Sequence, residues 1–141
     1  MIAEIVAKLE AEKAALGLKW VAGAAGFQQA AEYNPTAVPA AFVVLLDEAP
    51  GERQFSGNDI QKIDVQAGVI FAVSNASDPK GAAAQTDLKA IRDNVKESLL
   101  GWVPVTDYRP LERGRSTLMG FKDGYMWWQD IYLSSFYERK P

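Results

Sequence analysis

The sequence predicts an α+β fold, with a largely antiparallel sheet and two main helices packed on one face, as a single domain over residues 1–141. Three observations carry this expectation. Apolar residues recur at helical spacing at the start of the chain and again after Asp78-Pro79. The stretch from Ile63 to Val73 alternates at period two, and Asp123-Gly124 sits between two strand-like runs. The order helix, strands, helix, strands segregates the two element types as α+β domains do.

Ile2, Ile5, Val6, Leu9 and Leu16 form one stripe while Glu4, Lys8, Glu10 and Lys13 lie elsewhere, so the first segment is an amphipathic helix stopped by Gly17. "LKWVAGAAG", Leu18 to Gly26, suits a short strand or turn, and "FQQAAEY" is helix-like but short. After Asn34-Pro35 and Pro39, the run Ala41 to Leu46 has no polar side chain and reads as a strand buried on both faces. Residues 47–59 are polar, hold Pro50, Gly51 and Gly57, and read as a long loop or an extended hairpin tip. From Ile63 through Val65, Ala67, Val69 and Phe71 to Val73 one strand face is apolar.

Asp78 and Pro79 suit the cap and first turn of a helix whose stripe is Leu88, Ile91, Val95 and Leu99, stopped by Gly101. "GWVPVTDYRPLERGRS" is proline-rich and is expected to be mostly irregular, wrapping the body instead of forming its core. In the last run, Tyr125, Trp127, Gln129, Ile131 and Leu133 share one strand face, which is expected to meet the helices. Met126, Trp128, Asp130 and Tyr132 share the other, with Trp128 covered either by residues 102–115 of its own chain or by another subunit.

Composition narrows the chemistry. The chain is 48% hydrophobic and 23% charged, an ordinary globular mix, so a core without staples is expected. With no cysteine and no histidine, disulfides, thiolate nucleophiles, imidazole bases and the usual zinc or copper sites are removed together. The net charge of -3 supplies no basic field for nucleic acid as a main partner. The first residues mix acids with apolar side chains, and the longest apolar run is far short of the ~20 residues a membrane helix needs. The expectation is a protein with no membrane contact, made in a reducing cytoplasm.

No serine lies in a nucleophile-elbow context, Asp47-Glu48 lacks a third polar group to make an acid-base site, and neither "GAAG" nor "GRSTLMG" has the ending of a phosphate loop. The expectation is no catalytic site, no metal and no cofactor. Arg109, Arg113 and Arg115, with Tyr108 nearby, form a basic aromatic cluster that reads either as a solvated face balanced by Asp107 and Glu112 or as an interface.

The N-terminal helix, "PTAVPAAFVVLL", "QKIDVQAGVIFAVSN", "LLGWVP" and "GYMWWQDIYL" together resemble the tail terminator proteins of long-tailed bacteriophages, over nearly the whole chain. "GWVP" and the W-x-D-x-Y of Trp128, Asp130 and Tyr132 carry most of the likeness. The resemblance implies a non-enzymatic virion protein of the tail-neck region, assembled in the host cytoplasm. Such a protein forms a ring of itself, usually of six subunits, caps the tail tube, stops its polymerisation and docks a head-completion or neck protein. It also implies a monomer or weak oligomer before the tube is met. Candidate contacts to the tail tube protein or a neighbouring subunit are Arg53, Gln54, Phe55, Asn58 and Asp59 in the polar loop, and Tyr108, Arg109, Arg113, Arg115 and Trp128 as a second patch. The alternatives are another small neck or tail-completion protein, or a non-viral accessory protein that binds a small ligand.

Overall fold

The computed structural model describes residues 1–54, 60–75 and 82–139. Helix α1 (Ile2–Leu16) ends at Gly17, whose φ of 87° only glycine adopts cheaply. The Gly17 and Leu18 N–H groups turn back onto the Ala14 and Lys13 carbonyls. Strand β1 (Trp20–Ala22) and helix α2 (Ala24–Tyr33) follow, then β2 (Ala40–Gln54), β3 (Ile60–Ser74), α3 (Ala82–Leu99), β4 (Glu112–Lys122) and β5 (Tyr125–Arg139). The strands make one sheet in the order β1-β2-β3-β5-β4, parallel between β1 and β2 and antiparallel elsewhere. The β4–β5 hairpin turns at Asp123 and Gly124, both at positive φ (51° and 83°). This is the backbone a two-residue turn needs to match strand twist, as the Asp-Gly pair predicts.

The strands separate two apolar layers by alternation. Val43, Val69, Phe71 and Tyr132 pack with Ile5 and Leu9 of α1 and with Val95 and Leu99 of α3. Their neighbours Phe42, Ile70 and Trp127 point the other way and pack with Phe27 and Ala30 of α2. Helix α2 therefore covers the face opposite α1 and α3, an element that the expectation of two helices on one face did not include. Phe42 and Trp127 stack with ring centroids 6.0 Å apart, and Phe27 meets Trp127 edge-on at 6.0 Å. Gly26 lets α2 lie this close, because a Cβ there would sit 2.5 Å from the Ala22 Cβ.

Three expectations are sharpened or corrected. Residues 47–54 are strand, not loop: β2 runs on to Gln54, paired with β3, so the alternative of an extended hairpin holds up to that point. The run from Gly101 is mostly irregular as expected, but its last residues, Glu112 to Ser116, open β4; an exposed edge strand needs only one partner ladder and no apolar face to form. The faces of β5 are also reversed. Met126 and Tyr132 lie in the layer of α1 and α3, with Trp128 packed against it, whereas Trp127 lies under α2. The expected cap at Asp78-Pro79 lies outside the described residues.

Candidate functional site

Three strands of fifteen residues are long, since each spans roughly 50 Å at 3.3 Å per residue. Only part of that length can cover a core. Beyond Leu45, β2 pairs with β3 through Gln54, while β3 pairs from Ile60 with Arg139 of β5. The three ends thus form an arm in which residues 45–51, Lys62, Asp64 and Tyr137 are exposed. Arg53 and Gln54 lie in register with Gln61 and Ile60 at the far end of this arm, and Phe55, Asn58 and Asp59 lie outside the described residues.

At the base of the arm, β4 has ended and the chain before it takes over the edge of β5. The Arg109 N–H donates to the Ser135 carbonyl, Ser134 Oγ donates to the Arg109 carbonyl, and Tyr108 stacks on Phe136 at 4.7 Å. Burial raises the Tyr108 hydroxyl above its ordinary pKa, helped by the negative charges of Glu48 and Glu4, so it stays a neutral donor. A cleft of about 390 Å³ opens here, lined by Lys62, Asp64, Gln66, Arg109, Glu112 and Ser135 among others. Ligand pockets are mostly apolar with a few convergent polar groups; this lining is charged and mixed in sign.

The expected second patch is split in two. Tyr108 and Arg109 belong to the arm base, while Arg113, Arg115 and Trp128 belong to the β4 side of the sheet. There Arg92 of α3 grips Asp130 bidentately, Nε to Oδ2 and Nη2 to Oδ1, both at 2.9 Å. Trp128 Nε1 donates to Asp130 Oδ1 at 2.9 Å, the Arg92 guanidinium lies 4.5 Å from the Trp128 ring centroid, and Ser116 Oγ accepts from both Arg92 and Arg113. Burial by itself would raise the Asp130 carboxyl, but the hydrogen bonds from Arg92, Ser116 and Trp128 outweigh it and hold the carboxyl below its usual range. Burial, then the Asp130 charge, pushes the Tyr132 hydroxyl far upward. Asp130 and Tyr132 are thus locked inside the chain, while Trp128 is partly buried with Arg92 over its ring.

Sequence reasoning did not name Arg92. The signal was present: Arg92 stands four residues after Leu88, on the buried stripe, where a cation requires a partner. It also missed the outer edge of β4, where Leu118, Met119 and Phe121 are 46%, 48% and 58% exposed. Grooves flank this edge on both faces. One of about 210 Å³ is lined by Phe27, Met119, Phe121 and Trp127, and one of about 170 Å³ by Leu88, Arg92, Leu118 and Trp128, among others. An apolar edge with adjoining grooves is a surface suited to another protein.

The family described as phage tail terminator protein matches residues 2–141. No curated protein matches the chain. Among solved structures, a chain from the virion of native gene transfer agent (GTA) particle is similar, with a TM-score of 0.57 and 17% identity. The match covers 98% of this chain and 95% of that one. At that identity the likeness speaks to the fold.

Proposed function

Because the chain belongs to the phage tail terminator family, a family of structural virion proteins, we propose that it forms a homohexameric ring on the head-proximal end of the tail tube. There it stops tube polymerisation and offers the surface on which a head-completion or neck protein docks. The observation that carries this reading is the pair of unlike surfaces, the projecting arm of β2, β3 and β5 on one side and the apolar edge of β4 on the other. A ring needs two different patches that meet head to tail. Arg53 and Gln54 at the far end of the arm, together with Phe55, Asn58 and Asp59 that follow in sequence, are assigned to the tail tube protein, and Tyr108 and Arg109 support the arm from below. The protein's place is the tail-neck region of the virion, reached after assembly in the host cytoplasm.

Electron microscopy of tails made with and without this protein tests the proposal. Without it, tubes should vary in length and lack heads. Tubes of normal length that lack only heads would assign the chain to neck completion instead, and normal particles would sink both readings. Deleting Gly51 to Gly57 should shorten the arm and reproduce the defect while the body stays folded; normal tail length and head joining would remove the arm from the mechanism.

A further inference from the structure

Two edges of the sheet are open, and they carry complementary residues. On one side β1 pairs with β2 only from Ala40 to Phe42, so from Val43 onward β2 has no outer strand among the described residues. On the other side β4 pairs, among the described residues, with β5 alone. The open part of β2 presents Leu45 (50% exposed) and Leu46 (39%), followed by exposed Asp47 and Glu48. Along β4, exposed Arg113 and Arg115 are followed by Leu118 and Met119. Among the described residues neither acid has a cation at ion-pair distance, and neither arginine has a carboxylate.

The strand directions fit as well. Three successive antiparallel pairings make β4 run opposite to β2, so a second copy in the same orientation brings its β4 alongside this β2 antiparallel. Through the ladders Leu45 is level with Arg113 (by Ala67 and Tyr132) and Leu118 with Ala41 (by Phe71 and Trp128), so a copy displaced along the strands by about five residues, roughly 16 Å, sets the leucines of β2 against Leu118 and Met119 and the acids against the arginines. Register shifts between Leu45 and Asp47 on β2, and between Leu118 and Gly120 on β4, interrupt regular hydrogen bonding, so the contact is made by side chains and not by a continuous ladder. We infer that the subunit interface joins the open edge of β2 in one copy to β4 of the next, with Leu45 and Leu46 on Leu118 and Met119 and with Glu48 facing Arg115. Apolar contact holds the edges together, and the charges select head-to-tail over self-pairing, since acid against acid or arginine against arginine repels. This inference rests on the ring reading and names the surfaces that close it.

The absence of cysteine allows a clean test, because introduced thiols can pair only with each other. Full-length Leu45→Cys/Leu118→Cys, oxidised in solution at high concentration and on isolated tails, should give a ladder of covalent oligomers on a nonreducing gel. Mixed single variants should give one heterodimer band. Glu48→Arg or Arg115→Glu alone should lower the crosslinked yield at least tenfold, and the two together should restore it. Leu46→Cys/Met119→Cys repeats the test should the first pair disturb folding. Rings seen on tails with no crosslink, or with only 45–45 or 118–118 pairs, overturn this interface and leave the ring reading standing. Tails with no ring of this protein overturn both.

Discussion

Arg92→Met isolates the interaction on which the α3 side of the sheet most depends. The guanidinium side chain is 20% exposed and the Asp130 carboxylate 4%, and two hydrogen bonds of 2.9 Å join them. Removing the cation leaves a buried carboxylate with only Trp128 and Ser116 near it, a change that costs about 3–5 kcal/mol. For a chain of this size that corresponds to a melting temperature lower by on the order of 10 °C. The pH dependence supplies the sharper test. A carboxyl depressed in the folded state stabilises above its unfolded pKa, and that contribution is lost as pH falls below about 4. In the variant, burial is no longer outweighed and the carboxyl moves up, so its deficit against the parent should be largest at neutral pH and shrink toward pH 3. Urea unfolding at pH 7 and pH 3 measures both. Arg92→Met/Asp130→Leu should recover much of the loss, because no buried charge is then left alone. A neutral-pH loss below about 1 kcal/mol, or a deficit equal at both pH values, would refute the reasoning.

The adjacent tryptophans give a second contrast. Trp128→Phe should cost about 1.5–3 kcal/mol, since its N–H serves a charged acceptor. Trp127→Phe should cost less, because the Trp127 N–H is buried without a partner among the described residues. Chemical denaturation that ranked them in the opposite order would contradict this. Gly26→Ala should destabilise by about 1–3 kcal/mol by pushing α2 off β1; the loosened Phe27 and Trp127 packing would be read from near-UV circular dichroism. Gly124→Val should cost about 1–2 kcal/mol through the positive φ at the hairpin turn, checked by thermal melting, and an unchanged melting point would show that the turn relaxes.

The arm shows how polar sequence can hide a strand. Asp47 to Gln54 lacks alternation; residues 47–51 meet solvent, and what holds the segment extended is the ladder to β3, which in turn pairs with β5. The first half of β4 was obscured for the same reason. Neither segment carries its own reason to be a strand, since each depends on partners elsewhere in the chain.

Other elements were legible because their causes are local. The stripe from Ile2 to Leu16, the stop at Gly17, the alternation from Ile63 and the turn at Asp123-Gly124 depend on side-chain spacing and backbone preference within a few residues. The family likeness was also readable in the chain, because it rests on the order of such elements together with short motifs. Alternation likewise showed that Trp127 and Trp128 must part. It does not state which layer lies above which face, and only the fold decided that Trp128 turns toward α3. Its partners, Arg92 and Asp130, stand 38 residues apart, and a buried charge pair of that separation exists only once the helix has packed on the sheet.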